Sequence, residues 1–252
     1  MKFGIIGFGH LGSAFASGLI QSGRVGVNDA LYVCDISPET RELAKNPPYN
    51  AIASDDVNFV IGNADIIFIA VMGSVFESLA ANIDRRGLEG KTVVSFMAGE
   101  NFRKIHSLIG EVQLVRAMPT LAIAVCDGVV GYTKCPDPVA EIFKGLGITL
   151  EVEPDDIEKV MAFSACGLGF AAYLIDVFAA AGRTMGFKPE ICTQIAENSF
   201  KSAVSRGIDF RGTVEAVSTK GGATEIGVKL MDELSVYDIV AAAMKKAYDR
   251  MA

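Results

Sequence analysis

The chain has 252 residues, half of them hydrophobic, and a formal net charge of −7. That length suits one or two domains with a sizeable core, and the acidic balance argues against nucleic acid or an anionic membrane surface as a partner. Five cysteines (Cys34, Cys126, Cys135, Cys166, Cys192) without C-x-x-C spacing read as reduced thiols, and two histidines (His10, His106) give no basis for a metal site.

Phe3 to Ile6 is a short apolar run that predicts a buried strand. Gly7, Gly9 and Gly12 follow in G-x-G-x-x-G spacing, and Ala14, Phe15, Gly18 and Leu19 then recur at helical intervals. Strand, glycine turn and helix in that order form the context of a dinucleotide-binding fingerprint. The first glycine permits the tight turn, the second lets backbone approach a pyrophosphate, and the third lets helix pack on strand. An ordinary glycine-rich βα turn is the alternative. The candidate cofactor-binding residues here are Gly7, Phe8, Gly9, His10, Leu11 and Gly12. A strand this early leaves no segment for a secretory signal, so a cytoplasmic protein is expected.

Ala30 to Cys34 predicts the second strand, ending at Asp35. An acidic residue there would accept ribose hydroxyls and repel a 2′-phosphate, so NADH is expected over NADPH. Arg41 or Lys45 could still reach a phosphate, and Asp35 could instead only stabilise its turn. Ser37-Pro38-Glu39 reads as an N-cap, a first-turn proline and an acidic first turn. Asp65 to Val71 is a continuous apolar run, as a central strand covered on both faces requires. Its end adds Ala70, Val71 and Met72 to the candidate cofactor contacts. Thr92 to Phe96 predicts another strand, with Ala98 beyond it as a further contact. Gln113 to Ala117, Val129 to Thr133 and Ile148 to Val152 complete the set. Repeated βα units predict a Rossmann-type α/β domain over 1–153, a doubly wound and mostly parallel sheet.

From Asp155 onward strand signals give way to helical ones, so 154–252 is expected to be all-α. Val160 to Ala181 is apolar on nearly every side, interrupted mainly by Ser164, Tyr173 and Asp176. Its length would span a bilayer. Asp176 is costly at that depth, however, and Asp155, Asp156 and Glu158 crowd one end. A helix buried all round, completed by a partner subunit, is the better expectation. Ala165, Gly167, Gly169, Ala171 and Ala172 would allow close helix approach. Gly186-Phe187-Lys188-Pro189 ends it, and a further helix is expected to about Ser205.

Ser218-Thr219-Lys220-Gly221-Gly222-Ala223-Thr224 then precedes a helix carrying Ile226, Leu230 and Leu234, and a last helix follows over Val236 to Met251. Backbone N–H groups at such a turn can hold an anion, a small carboxylate as well as a phosphate. Thr224, expected at the first helical position, either caps the helix or turns its hydroxyl to a ligand. Lys220 either adds positive charge or is a solvated loop lysine.

The stretch VSTKGGATEIGVKLMDE resembles the C-terminal signature of pyrroline-5-carboxylate reductases. GFGHLGSAFASGL, GKTVVSFMAG, LVRAMP followed by CDGVVGY, and FKGLGITLEVEPDDIEKVMAFSACG resemble that family in the same order, so the likeness covers nearly the whole chain. It implies reduction of the cyclic imine pyrroline-5-carboxylate to L-proline with NADPH or NADH. It further implies an active site between the cofactor domain and an interlocked helical homodimer, which in relatives builds larger rings. Carried over, Thr224 would be the catalytic residue, hydrogen-bonding the imine nitrogen. Thr219, Lys220, Gly221, Gly222, Ala223 and Thr224 would bind substrate, chiefly through backbone N–H groups on its carboxylate. The sequence departs from the family at Met72-Gly73 (usually Lys-Pro), Thr120 (usually Asn), Ser164 to Phe170, and Lys220 (usually Pro). Those departures leave two alternatives: a related imine or hydroxyacid reductase, and a cofactor-binding regulatory paralogue without turnover.

Overall fold

The computed structural model describes residues 1–26, 29–207 and 209–251. It divides into two compact units, Met1–Ala165 with Tyr248–Ala252, and Cys166–Ala247.

The first unit runs β1 (Lys2–Ile6), α1 (His10–Gln21), β2 (Ala30–Cys34), α2 (Pro38–Lys45), β3 (Ile52–Ser54), α3 (Val57–Asn63), β4 (Ile66–Ile69), α4 (Gly73–Ala80), β5 (Thr92–Ser95), α5 (Phe102–Ile109), β6 (Gln113–Pro119), β7 (Gly128–Tyr132), α6 (Asp137–Lys144) and β8 (Gly147–Glu151). The strands form one sheet in the order β3-β2-β1-β4-β5-β6-β7-β8. Pairing is parallel from β3 to β6 and again between β7 and β8. Among the described residues only β6 and β7 pair antiparallel. Eight residues separate Pro119 from Gly128, too few for the crossover a parallel pair needs.

Successive strand residues point to opposite faces, and the buried side chains separate accordingly. Phe3, Ile5, Val33, Phe68 and Val94 join Phe15 and Leu19 of α1, Ala44 of α2 and Phe143 of α6 in one cluster. Ile6, Cys34, Ile67, Ile69 and Val93 join Val60 of α3, Phe76 of α4 and Ile105 of α5 in the other. Helices therefore cover both faces, and burial of each such Phe or Ile contributes about 1.5–3 kcal/mol. β3 has no counterpart among the predicted strands. It is three residues long at the sheet edge with Ile52 half exposed, so it carries no apolar run to read.

The predicted continuous helix from Val160 is corrected. α7 (Ile157–Phe163) yields to α8 (Ala165–Arg183) at Ser164. There the Ser164 N–H and hydroxyl both donate to the Val160 carbonyl, each at 2.7 Å. Such doubled bonding bends helices. α7 belongs to the sheet: Ile157 is fully buried, and Val160 lies over Gly131, where a Cβ would stand 2.5 Å from Val160 Cγ1. The compact units thus divide one helix later than the change of composition at Pro154.

α9 (Pro189–Ser205), α10 (Phe210–Val217), α11 (Ala223–Glu233) and α12 (Val236–Asp249) complete the helices. The second unit's buried cluster is small: Ala179, Cys192 and Ala196, with Ile175 against them. α8 was expected to be buried all round, and in the single chain it is not. Tyr173, Val177 and Phe178 are exposed, as are Met185, Ile195, Leu230 and Leu234 beyond it. An apolar hollow of about 280 Å³ lies among Phe178, Gly182, Met185, Phe187 and Ile195. Pro154–Arg183 is long and apolar enough to cross a membrane by length and composition, yet its start is packed on the sheet through Ile157.

Candidate active site

The glycine turn between β1 and α1 is built by close approach. Gly7 has φ +90°, and a Cβ there would stand 2.8 Å from the Ala70 carbonyl oxygen and 2.5 Å from Val71 Cγ1. A Cβ at Gly12 would stand 2.0 Å from the Gly7 carbonyl oxygen, so α1 closes on the turn only because Gly12 lacks one. Gly9 differs. Its φ of −69° and ψ of −156° suit any residue, and a Cβ there would meet nothing within 4 Å. The protein's own packing does not require that glycine, but a ligand lying against the backbone would.

The helix start supports the same ligand. Gly9 offers no side-chain cap, and the first turn of α1 holds no acidic residue. Ser13 is the first residue whose N–H bonds back, to the Gly9 carbonyl at 3.0 Å. The N–H groups of His10, Leu11 and Gly12 have no partner among the described residues, and the positive end of the helix is uncompensated. These residues fit the pyrophosphate of a dinucleotide.

Asp35 ends β2 beside this turn. Its Oδ2 accepts the Phe8 N–H at 2.8 Å and its Oδ1 the Ser37 N–H at 2.9 Å. Each oxygen keeps a lone pair for a hydroxyl. Phe8 takes part through its backbone alone, since its ring is 1 % exposed and packs edge-on against Tyr49. Arg41 Nη1 bonds the Asp35 and Ile36 carbonyls at 2.9 and 3.0 Å. Lys45 instead pairs with Glu42 at the far end of α2. Burial, then the nearby charges of Asp35, Asp56 and Asp55, push the Cys34 thiol up to about 11, which leaves it inert. Ala70, Val71 and Met72 follow β4, and Ala98 follows β5, with Met72 and Ala98 exposed. Every candidate cofactor residue thus lies at the carboxyl end of β1, β2, β4 or β5. β1 stands between β2 and β4, the switch point where such sheets bind ligands.

The second glycine turn belongs to the helical unit. Gly221 has φ +73°, and a Cβ at Gly222 would stand 2.4 Å from Thr219 Oγ1. The Gly222 N–H donates to the Thr219 carbonyl at 2.8 Å. α11 begins at Ala223, so Thr224 is its second residue rather than its first, and Gly222 caps it without a side chain. Thr224 is exposed, and its hydroxyl has no partner among the described residues. The capping alternative for Thr224 therefore falls away.

Glu225 was not foreseen. Its Oε2 accepts the Gly221 N–H at 2.5 Å, while Oε1 lies 3.0 Å from Lys229 Nζ. The Gly221 N–H, then Lys229, hold its carboxyl below the usual 4.5. Of the N–H groups expected to hold a carboxylate, around Thr219 and from Gly221 to Thr224, those of Gly221 and Gly222 are spent within the turn. Those of Thr219, Ala223 and Thr224 have no partner among the described residues. Because the folded value is depressed, the Glu225 contact persists above about pH 4.5 and is lost as pH falls through the folded value. Glu225→Ala is expected to abolish hydrogen-exchange protection of the Gly221 amide at neutral pH. Unchanged protection would show that the turn holds without it.

Arg116 and Glu158 also escaped the sequence reading. Arg116 is 2 % exposed in β6, and its Nη2 lies 2.5 Å from Glu158 Oε1 of α7 and 3.2 Å from the Met97 carbonyl oxygen. The available signal was one charge inside the apolar strand QLVRAMP, since such a residue is rarely buried unless paired.

Residues 2–99 match the family model described as NADP oxidoreductase coenzyme F420-dependent, and residues 154–252 match the one described as pyrroline-5-carboxylate reductase dimerisation. The pyrroline-5-carboxylate reductase of Aquifex aeolicus is 29% identical over 246 residues, covering 92% of this chain and 89% of its own. Together these matches support the pyrroline-5-carboxylate reductase family. Solved structures agree in fold. The Plasmodium falciparum pyrroline carboxylate reductase with NADP bound has a TM-score of 0.86 at 22% identity, covering 100% of this chain and 97% of that one. The Streptococcus pyogenes 1-pyrroline-5-carboxylate reductase has 0.87 at 20%, covering 100% and 98%.

The relatives and the match over residues 2–99 indicate an NAD(P)H-dependent oxidoreductase. Two departures from the family pattern have local structural reasons. At Gly73 a Cβ would stand 2.1 Å from Glu100 Oε1, so glycine makes room for that carboxylate. Thr120 is buried, accepts the Val129 N–H at 3.0 Å and donates its own N–H to the Val129 carbonyl at 2.9 Å, which fixes the link from β6 to β7.

Proposed function

We propose that this chain reduces the cyclic imine pyrroline-5-carboxylate to L-proline, with residues 1–153 as the cofactor domain and 154–252 as the dimerisation and substrate domain. The observation that carries the reading is the start of α11. Its Ala223 and Thr224 N–H groups are unpaired among the described residues, and the Thr224 hydroxyl stands free beside them. A small cyclic imino acid offers a complement to both. Its carboxylate suits the helix N-terminus, and its protonated ring nitrogen can donate to Thr224 Oγ1. When bound, NAD(P)H supplies the hydride. The chain's residues need only orient the imine, which is already electrophilic once protonated, so no strong general base is required.

Asp35 supports a preference for NADH, since a 2′-phosphate at the end of β2 would meet its charge. Arg41 works against that preference from the same turn. The exposed apolar side chains of α8, α9 and α11 support a homodimer through the helical segment, which relatives' larger rings would extend. The protein would act in the cytoplasm.

Purified protein given pyrroline-5-carboxylate and either cofactor is expected to bleach the nicotinamide absorbance band, faster with NADH. Cofactor binding without bleaching would replace this reading by a regulatory one. An NADPH efficiency far above that for NADH would overturn the preference. Sedimentation is expected to give a dimer or larger at every concentration that retains activity.

A further inference from the structure

We propose that Arg116 is a positioning residue for the reduction: it fixes the Met97–Ala98 turn over which the nicotinamide half of the cofactor extends. This rests on the reading of the β1–α1 turn as a dinucleotide site. With the pyrophosphate held at Gly7 to Gly12 and the adenosine ribose at Asp35 beyond β2, the nicotinamide half would run the other way, toward the ends of β4 and β5, which follow β1 in the sheet. Met97 and Ala98 follow β5 one residue on, after Phe96.

Met97 is held by side chains on both of its backbone groups. Its N–H donates to the buried Ser95 hydroxyl at 3.3 Å, and its carbonyl accepts from Arg116 Nη2 at 3.2 Å. Arg116 sits opposite Ser95 in the β5–β6 register, so the two supports arise from neighbouring strands. The guanidinium is itself held by Glu158 at 2.5 Å. Stability alone does not account for this arrangement. Buried ion pairs are often no more stabilising than apolar residues of similar volume, though breaking one is costly. Arg116 Nε is in addition buried without a partner among the described residues. What the pair secures is the place of one carbonyl, and with it the place of exposed Ala98 beside it. A lysine at 116 has one point donor in place of a planar fork and cannot hold both Glu158 and the Met97 carbonyl in this geometry.

The test compares two probes of the cofactor surface in Arg116→Lys. ADP-ribose reports only the adenosine and pyrophosphate half, and NADH reports both halves. The expected result is NADH affinity weakened about tenfold and ADP-ribose affinity within about twofold of wild type, a tenfold change being about 1.4 kcal/mol. Equal weakening of both probes, or no change in either, overturns the proposal. Should Arg116→Lys fail to fold, Glu158→Gln, which keeps the shape and an acceptor, carries the same comparison and the same two overturning results. Neither probe involves the imine. A wild-type protein that binds NADH without reducing pyrroline-5-carboxylate would therefore sink the reductase reading and leave this comparison intact.

Discussion

Gly9→Ala is expected to fold like the wild type and lose roughly ten- to a hundredfold in nicotinamide cofactor affinity, the order of one or two hydrogen bonds to a charged group. Gly12→Ala is expected to lose both fold stability and binding. The two glycines belong to one motif but answer to different constraints. At Gly9 the backbone angles suit alanine and the added carbon meets nothing of the protein. Removing a glycine there stiffens the unfolded chain and stabilises by about 0.4–1 kcal/mol, so Tm should hold or rise slightly while affinity falls. At Gly12 the added carbon lies 2.0 Å from the Gly7 carbonyl oxygen, a backbone atom pinned between β1 and the end of β4. Overpacking commonly costs about 1–3 kcal/mol where neighbours can shift. Here the obstacle is main chain, so the loss should reach the top of that range or exceed it. Thermal melts with and without cofactor, together with a titration, separate the cases. A destabilised Gly9→Ala with normal affinity would refute the assignment of that residue to the ligand.

Thr224→Ala is expected to lower kcat by roughly ten- to a hundredfold, with Tm and cofactor affinity close to wild type. Thr224 lies one residue inside α11, exposed, and supports nothing in its own turn. Its hydroxyl therefore has no structural work to lose, and alanine is a slightly better helix former. The loss should appear only when the ring nitrogen carries charge, and Thr224→Ser should recover most of it. A fall in Tm or in cofactor affinity of similar size would reject the catalytic role.

Much of this was legible from residues alone. The strand DIIFIAV and the turn GFGHLG declared themselves because continuous apolar runs and spaced glycines leave few other conformations open. β3 did not, because three residues on an edge need no hydrophobic pattern. The second turn was visible through Gly221-Gly222, yet its wiring was not. That Glu225 would reach back to Gly221, and that Thr224 would stand one place deeper in its helix, depends on side-chain reach and a positive φ, which spacing does not encode. Arg116 was hidden for another reason. Its partners, Met97 and Glu158, are 19 and 42 positions away and meet it only once β5, β6 and α7 are packed.

The strand order has a consequence for how the chain is made. β1, made before the other seven strands of this sheet, ends in its interior, with β2 and β3 added on one side and β4 to β8 on the other. From β4 onward each new strand docks on the edge left free by its predecessor, or for β4 by β1. None has to be inserted between two already paired. The sheet can therefore assemble in step with synthesis, as domains generally do from the N-terminal side. The one long return is that of β4 to β1, across the whole β2–α3 segment, and contacts so far apart in sequence are the slow ones to close. Once that pair is made, every later strand finds its template waiting.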